Sequence, residues 1–195
     1  MREFLFLRHG QTDWNLAHRI QGQIKDVPLN QTGIKQSEDA AALLLRYPLD
    51  LIVSSTLDRA AMTARIIAVQ TGSPLIFDAR LIERNWGVAE GMAVAEFANI
   101  DPETFFTSDG RQDWVDETRQ PKGAETREEL AERASIALFD LLSRHEDKRL
   151  LLVTHGAWLR ALVYRLTGED RDSANAIPYR AYENPEGWHV EPLMS

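Results

Sequence analysis

Two short apolar runs, each closed by His-Gly, constrain what this 195-residue chain can fold into more than any other feature. Phe4-Leu5-Phe6-Leu7 runs into Arg8-His9-Gly10, and Leu150-Leu151-Leu152-Val153 runs into Thr154-His155-Gly156. A continuously apolar run of this length suits a strand buried on both faces, as in a parallel sheet covered by helices. Open α/β sheets place their ligand crevice at the carboxyl ends of such strands. If the two strands are parallel neighbours, both imidazoles and Arg8 meet there. A third strand end, Leu51-Ile52-Val53-Ser54-Ser55, leads into a helix with Thr56 as its cap and Arg59 in its first turn. Gly10 lets the backbone turn sharply, and Thr12 and Asn15 add short hydrogen-bonding side chains one turn further on. The set suits an anion.

The remaining pattern is alternating strands and helices. Thr32 is expected to cap a helix over Gly33–Arg46, which Pro48 stops; a strand over Leu49–Ser54 and a helix over Leu57–Gln70 follow, ended by Gly72 and Pro74. Pro74–Phe77 reads as a short strand. Thr126-x-x-Glu129 is a capping box that opens a helix to about Arg144. The helix Ala157–Thr167 follows the second His-Gly unit, and Tyr179–Tyr182 and Gly187–Glu191 read as edge strands. This alternation indicates an α/β fold with a mainly parallel sheet. Residues 84–125 interrupt it with turn formers and aromatics, among them Trp86, Phe97, Phe105, Phe106, Gly110 and Trp114. About 40 residues cannot easily bury a core of their own, so this stretch reads as an insertion within a single domain over 1–195.

Composition narrows the function. A net charge of −8 argues against nucleic acid or an anionic membrane surface as partner, which makes Arg8 and Arg59 a local exception. With no cysteine there is no disulfide, thiolate nucleophile or cysteine-held metal. No stretch approaches the ~20 apolar residues of a membrane span, and the N-terminus runs straight into the first motif, so a cytoplasmic protein is the simplest expectation. Neither His-Glu-x-x-His nor a Walker-type Gly-x-x-x-x-Gly-Lys-Ser/Thr occurs, and no metal or other cofactor is implied.

Arg8-His9-Gly10-Gln11-Thr12 with Asn15, Ser54-Ser55-x-x-x-Arg59-Ala60, Leu81-x-Glu83-x-x-x-Gly87-x-x-Glu90-Gly91 and Thr154-His155-Gly156 together resemble the histidine phosphatase superfamily, the phosphoglycerate-mutase-like family. The resemblance implies a three-layer sandwich with a mainly parallel central sheet and helices on both faces. It also implies that residues 84–125 form a partly helical flap over the site, and that Arg19, Gln21-Gly22 and Pro28-Leu29 belong to a loop bordering the phosphate pocket.

The chemistry fits those residue types. His9 can attack phosphorus as a neutral imidazole if a backbone group such as the Gly10 carbonyl fixes its tautomer. Arg8 and Arg59 offer planar forks that match phosphate oxygens, and a protonated His155 would add a charge-assisted donor. Thr12, Asn15 and Gln21 would be neutral phosphate-binding groups. Glu83 follows an apolar run where desolvation and a nearby phosphate favour its protonated form, and the resemblance makes it the acid; Glu90 and Asp78 are alternatives. Ser54 and Ser55 read as turn and cap residues, and His18, His145 and His189 as surface residues. The expectation is a metal-independent phosphatase acting on a small phosphomonoester through a phosphohistidine on His9. Two alternatives share most of these residues. A phosphoglycerate mutase would use Arg84, Arg111, Arg119 or Lys122 as added cations, although the insertion lacks the basic pair that mutases usually carry. A catalytically silent relative would bind phospholigands only.

Overall fold

The structure, a computed structural model, describes residues 2–100 and 120–193. Its strands are β1 (Glu3–Arg8), β2 (Leu51–Ser54), β3 (Leu75–Phe77), β4 (Leu150–Thr154), β5 (Tyr179–Asn184) and β6 (Gly187–Pro192). They form one sheet in the order β3-β2-β4-β1-β5-β6. The first four strands of that order run parallel, and β5 and β6 add an antiparallel edge. The two apolar His-Gly strands are therefore adjacent and parallel as expected, in a register that sets Arg8 beside Thr154. The helices are α1 (Asp13–Leu16), α2 (Gln31–Leu44), α3 (Asp58–Thr71), α4 (Val94–Ile100), α5 (Arg127–Arg144) and α6 (Gly156–Thr167).

Alternation along the strands divides the core into two clusters. Phe4, Phe6, Leu51, Val53, Leu150 and Leu152 pack with Leu130, Ala134, Leu138 and Leu141 of α5 and with Trp158, Leu159 and Leu162 of α6. Leu5, Leu7, Ile52, Leu151 and Val153 pack with Ala41 and Leu44 of α2 and with Ala60, Ala64 and Ile67 of α3. Strands buried on both faces explain the uninterrupted apolar runs, and the result is the expected three-layer sandwich. No helix among the described residues is long and apolar enough to cross a membrane.

Helix starts differ from the sequence expectation. Asn30, not Thr32, caps α2: its Oδ1 accepts from Gly33 N at 2.8 Å, and Thr32 already lies in the first turn. Thr56 does not cap α3, whose N-cap is Leu57 with no side-chain cap bond; the Ser55 hydroxyl accepts from Leu57 N instead. At α2 the chain offers two capping residues, Asn30 and Thr32, and the tertiary path selects between them. The Thr126–Glu129 capping box at α5 forms as expected. Of the insertion, the described parts include α4, and Arg19 and Trp86 bridge to Ala93 and Ala124. Phe105, Phe106, Gly110, Arg111, Trp114 and Arg119 lie outside the described residues.

Leu152 is fully buried at the sheet centre. Leu152→Ala is expected to lower stability by about 2–5 kcal/mol, read as a lower urea midpoint at unchanged slope.

Candidate active site

The carboxyl ends of β1 and β4 open into a cavity of about 600 Å³ whose lining includes Arg8, His9, Asn15, Gln21, Arg59 and Glu83. The β ladder continues one residue beyond β1, where His9 N donates to Thr154 O at 2.9 Å, so the two histidines leave neighbouring strands side by side. Their ring centroids are 5.2 Å apart and tilted by 58°.

His9 is held by its own turn. Nδ1 lies 2.7 Å from the Gly10 carbonyl, which can only accept, so Nδ1 carries the proton and Nε2 keeps its lone pair. Gly10 is fixed in turn: its N–H donates to Thr63 Oγ1, and a Cβ at Gly10 would stand 2.4 Å from Gly33 O. Only glycine lets the first turn of α2 back this closely against the loop. From the other side, Asn175 Nδ2 donates to His9 O, and Ala176 N to Arg8 O.

The charges are buried. Burial lowers the Arg8 guanidinium, with Glu83 and Asp172 opposing the shift, and brings Arg59 down to about 10. Both keep an unpartnered, buried Nε. Arg59 does not present a free fork, contrary to expectation: Nη2 donates to Gly22 O at 2.7 Å and Nη1 to Ile24 O at 2.9 Å, so it also pins the loop that carries Gln21. Gln21 lines the cavity with Oε1 unpartnered.

Burial first, then the guanidinium groups of Arg59 and Arg8, hold His9 well below its ordinary 6.5. The same causes, with His9 itself contributing, act on His155. His155 is therefore neutral near pH 7; it is fully buried and is not among the residues that line the cavity. Its Nε2 lies 2.7 Å from Ser55 Oγ, and its Nδ1 is buried without a partner. Ser55, read from the sequence as a turn residue, is thus also the group that orients His155.

Glu83 sits against the N-terminus of α6. Oε1 accepts from Arg84 N at 2.8 Å and Trp158 N at 3.1 Å, whereas Oε2 has only the longer contact from Ala157 N at 3.2 Å. The two alternative acids are engaged elsewhere. Glu90 Oε1 accepts from Gln23 N and Trp86 N, Asp78 pairs with Arg80, and neither lines the cavity.

Thr12 departs from its expected role. It is fully buried, its hydroxyl is used in the capping box of α1 with Asn15, and it does not line the cavity. Asn15 does line it, with Oδ1 turned back to Thr12 N and the amide nitrogen left on the opposite side. Sequence reasoning missed Arg160, Asp172 and Asn175, which also line the cavity from α6 and the segment after it; nothing in their spacing marks them. It also read His18 as a surface residue. His18 is exposed but lines the mouth, at φ 47°, within the polar loop already matched to the pocket border. No group of three or more His, Asp or Glu among the described residues is placed to hold a metal ion.

Comparison with known proteins agrees with this architecture. The description of the histidine phosphatase superfamily (branch 1) matches residues 4–183, and the chain belongs to that family. It is 33% identical over 170 residues to an uncharacterised phosphatase, PhoE, of Bacillus subtilis, covering 87% of this chain and 80% of that one. It is 36% identical over 167 residues to a metal-independent phosphoserine phosphatase of Arabidopsis thaliana (85% and 68% covered). To a probable phosphoglycerate mutase, GpmB, of Escherichia coli it is 38% identical over 171 residues (86% and 76%). Among solved structures it resembles a mycobacterial glucosyl-3-phosphoglycerate phosphatase complexed with VO3, with TM-score 0.84 at 28% identity over 100% of this chain and 99% of that one.

The two lowered histidines couple pH to stability. In the unfolded chain both titrate near 6.5, and in the folded protein well below it. Between those values the unfolded chain binds more protons, so stability rises with pH and is lost as pH falls below about 6.5. The urea midpoint is expected to drop between about pH 7.5 and 5.5, and the drop to shrink in a His9→Asn/His155→Asn double variant.

Proposed function

We propose that this protein is a phosphatase that hydrolyses a small phosphomonoester through a phosphohistidine on His9. The observation that carries the reading is the Nδ1 bond of His9 to the Gly10 carbonyl, which leaves Nε2 unprotonated beside two buried guanidinium groups. Nε2 attacks phosphorus as the bond to the leaving oxygen breaks, and Glu83 gives that oxygen a proton from Oε2, its less engaged atom. Water then attacks the phosphorus, Glu83 takes the proton of that water, and the P–N bond breaks to restore His9. Arg8, Arg59, Gln21, Asn15 and a neutral N–H of His155 take up the charge of the equatorial oxygens. A cavity of about 600 Å³ suits a small molecule. The phosphoserine and glucosyl-phosphoglycerate phosphatases among its relatives support substrates of that kind.

The second reading, a phosphoglycerate mutase, has the 38% identical Escherichia coli relative in its favour. Against it, Lys122 is exposed and not part of the cavity lining. Purified protein is expected to release phosphate from small phosphomonoesters and from p-nitrophenyl phosphate, with EDTA having no effect. His9→Ala is expected to cut turnover by about a thousandfold or more. Isomerisation of 3-phosphoglycerate with 2,3-bisphosphoglycerate, without phosphate release, would favour the mutase; full activity in His9→Ala would remove His9 as nucleophile.

A further inference from the structure

Glu83 lies outside any strand or helix, so no backbone ladder fixes it. Two side chains reach its carbonyl: Gln23, whose Nε2 donates to Glu83 O at 3.0 Å, and Arg133, in the second turn of α5. Nη1 donates to Arg80 O at 2.8 Å and Ile82 O at 2.9 Å, and Nη2 to Glu83 O at 3.3 Å. Nε and Nη2 also grip the Glu125 carboxylate, each at 2.8 Å. A guanidinium has five N–H donors, and here all five have acceptors: three carbonyls of the 80–83 segment and two oxygens of Glu125. Glu125 closes the other end of the arrangement. Its carbonyl accepts from Arg84 Nε at 2.8 Å, and its N–H donates to Asn85 O at 2.8 Å.

We propose that Arg133 is a positioning residue for proton transfer: by clamping the backbone around Glu83 and tying it to Glu125, it sets where the Glu83 carboxyl meets the leaving oxygen. The inference rests on the reading of Glu83 as general acid. Arg133 does not line the cavity; its contacts are with the 80–83 backbone and with Glu125. Lysine cannot replace it, because one ammonium has three donors and no planar fork.

The test exploits the leaving group. An alkyl phosphate leaves as a strongly basic alkoxide and needs the acid, whereas 2,4-dinitrophenyl phosphate leaves as a stable phenolate and does not. Arg133→Met is expected to lower kcat/KM, which reports only the steps up to departure of the leaving group, about 100-fold for an alkyl phosphate and less than about threefold for the dinitrophenyl ester. Glu83→Gln should show the same selectivity, more strongly. Arg133→Lys keeps the charge and serves if Arg133→Met does not fold; it should show the selectivity as well, since charge without the fork does not hold the segment. An equal loss on both esters in the folded Arg133 variants, or no loss on either, overturns the positioning role. An equal loss on both esters in Glu83→Gln would instead remove Glu83 as the acid, a failure distinguishable from the first.

Discussion

Parallel pairing of β1 with β4 is the interaction on which the rest of the molecule depends. A parallel pair cannot close through a tight turn, so its strands must be joined by crossovers that lay helices on the sheet faces. Here the intervening chain supplies α2 and α3 on one face and α5 on the other. The register that aligns Arg8 with Thr154 brings His9 and His155 out of the sheet together. Displacing that register by one residue would send every side chain of β1 to the opposite face. The same pairing therefore builds the core and assembles the histidines.

Two guanidinium groups, the buried Arg59 and the partly buried Arg133, do a second structural job. Ionised side chains are costly to bury unless their donors are matched. Arg59 and Arg133 are matched largely by backbone carbonyls of irregular segments, Gly22 and Ile24 in one case and Arg80, Ile82 and Glu83 in the other. Loops have carbonyls with no ladder partner, and a planar fork can take several at once. Each arginine thus satisfies stretches of chain that no strand organises, and both stretches border the cavity. In Arg59, a cation that lines the cavity also orders the loop beside it.

Much of this was legible in the sequence because it is encoded locally. The apolar runs at 4–7, 51–53 and 150–153 announced two-sided burial, and residue type at each strand end announced His9, Arg8, Arg59 and His155. Helix starts were less legible: Asn30 and Thr32 are equivalent as caps until the tertiary path chooses, and α3 starts after Leu57 with neither Ser55 nor Thr56 as its N-cap. Thr12 illustrates the opposite error, since a hydroxyl beside an anion motif can equally serve its own helix. Arg133 was invisible because its partners lie at 80–83 and 125, and neither periodicity nor spacing registers contacts made across the fold. The same holds for Asn175, whose amide reaches His9 from the far end of the chain.

That last contact bears on the order of events during synthesis. β1 leaves the ribosome first, yet its two sheet neighbours begin at Leu150 and Tyr179, and the latch on His9 waits for Asn175. Until Leu150–Thr154 has emerged, Phe4–Leu7 has no strand on either side, a long-range closure of the kind that slows folding. His9 is among the first parts of the site to be made and among the last to be put in place. A nascent chain that ends before β4 therefore exposes Phe4–Leu7, an apolar, aggregation-prone segment that a chaperone can recognise.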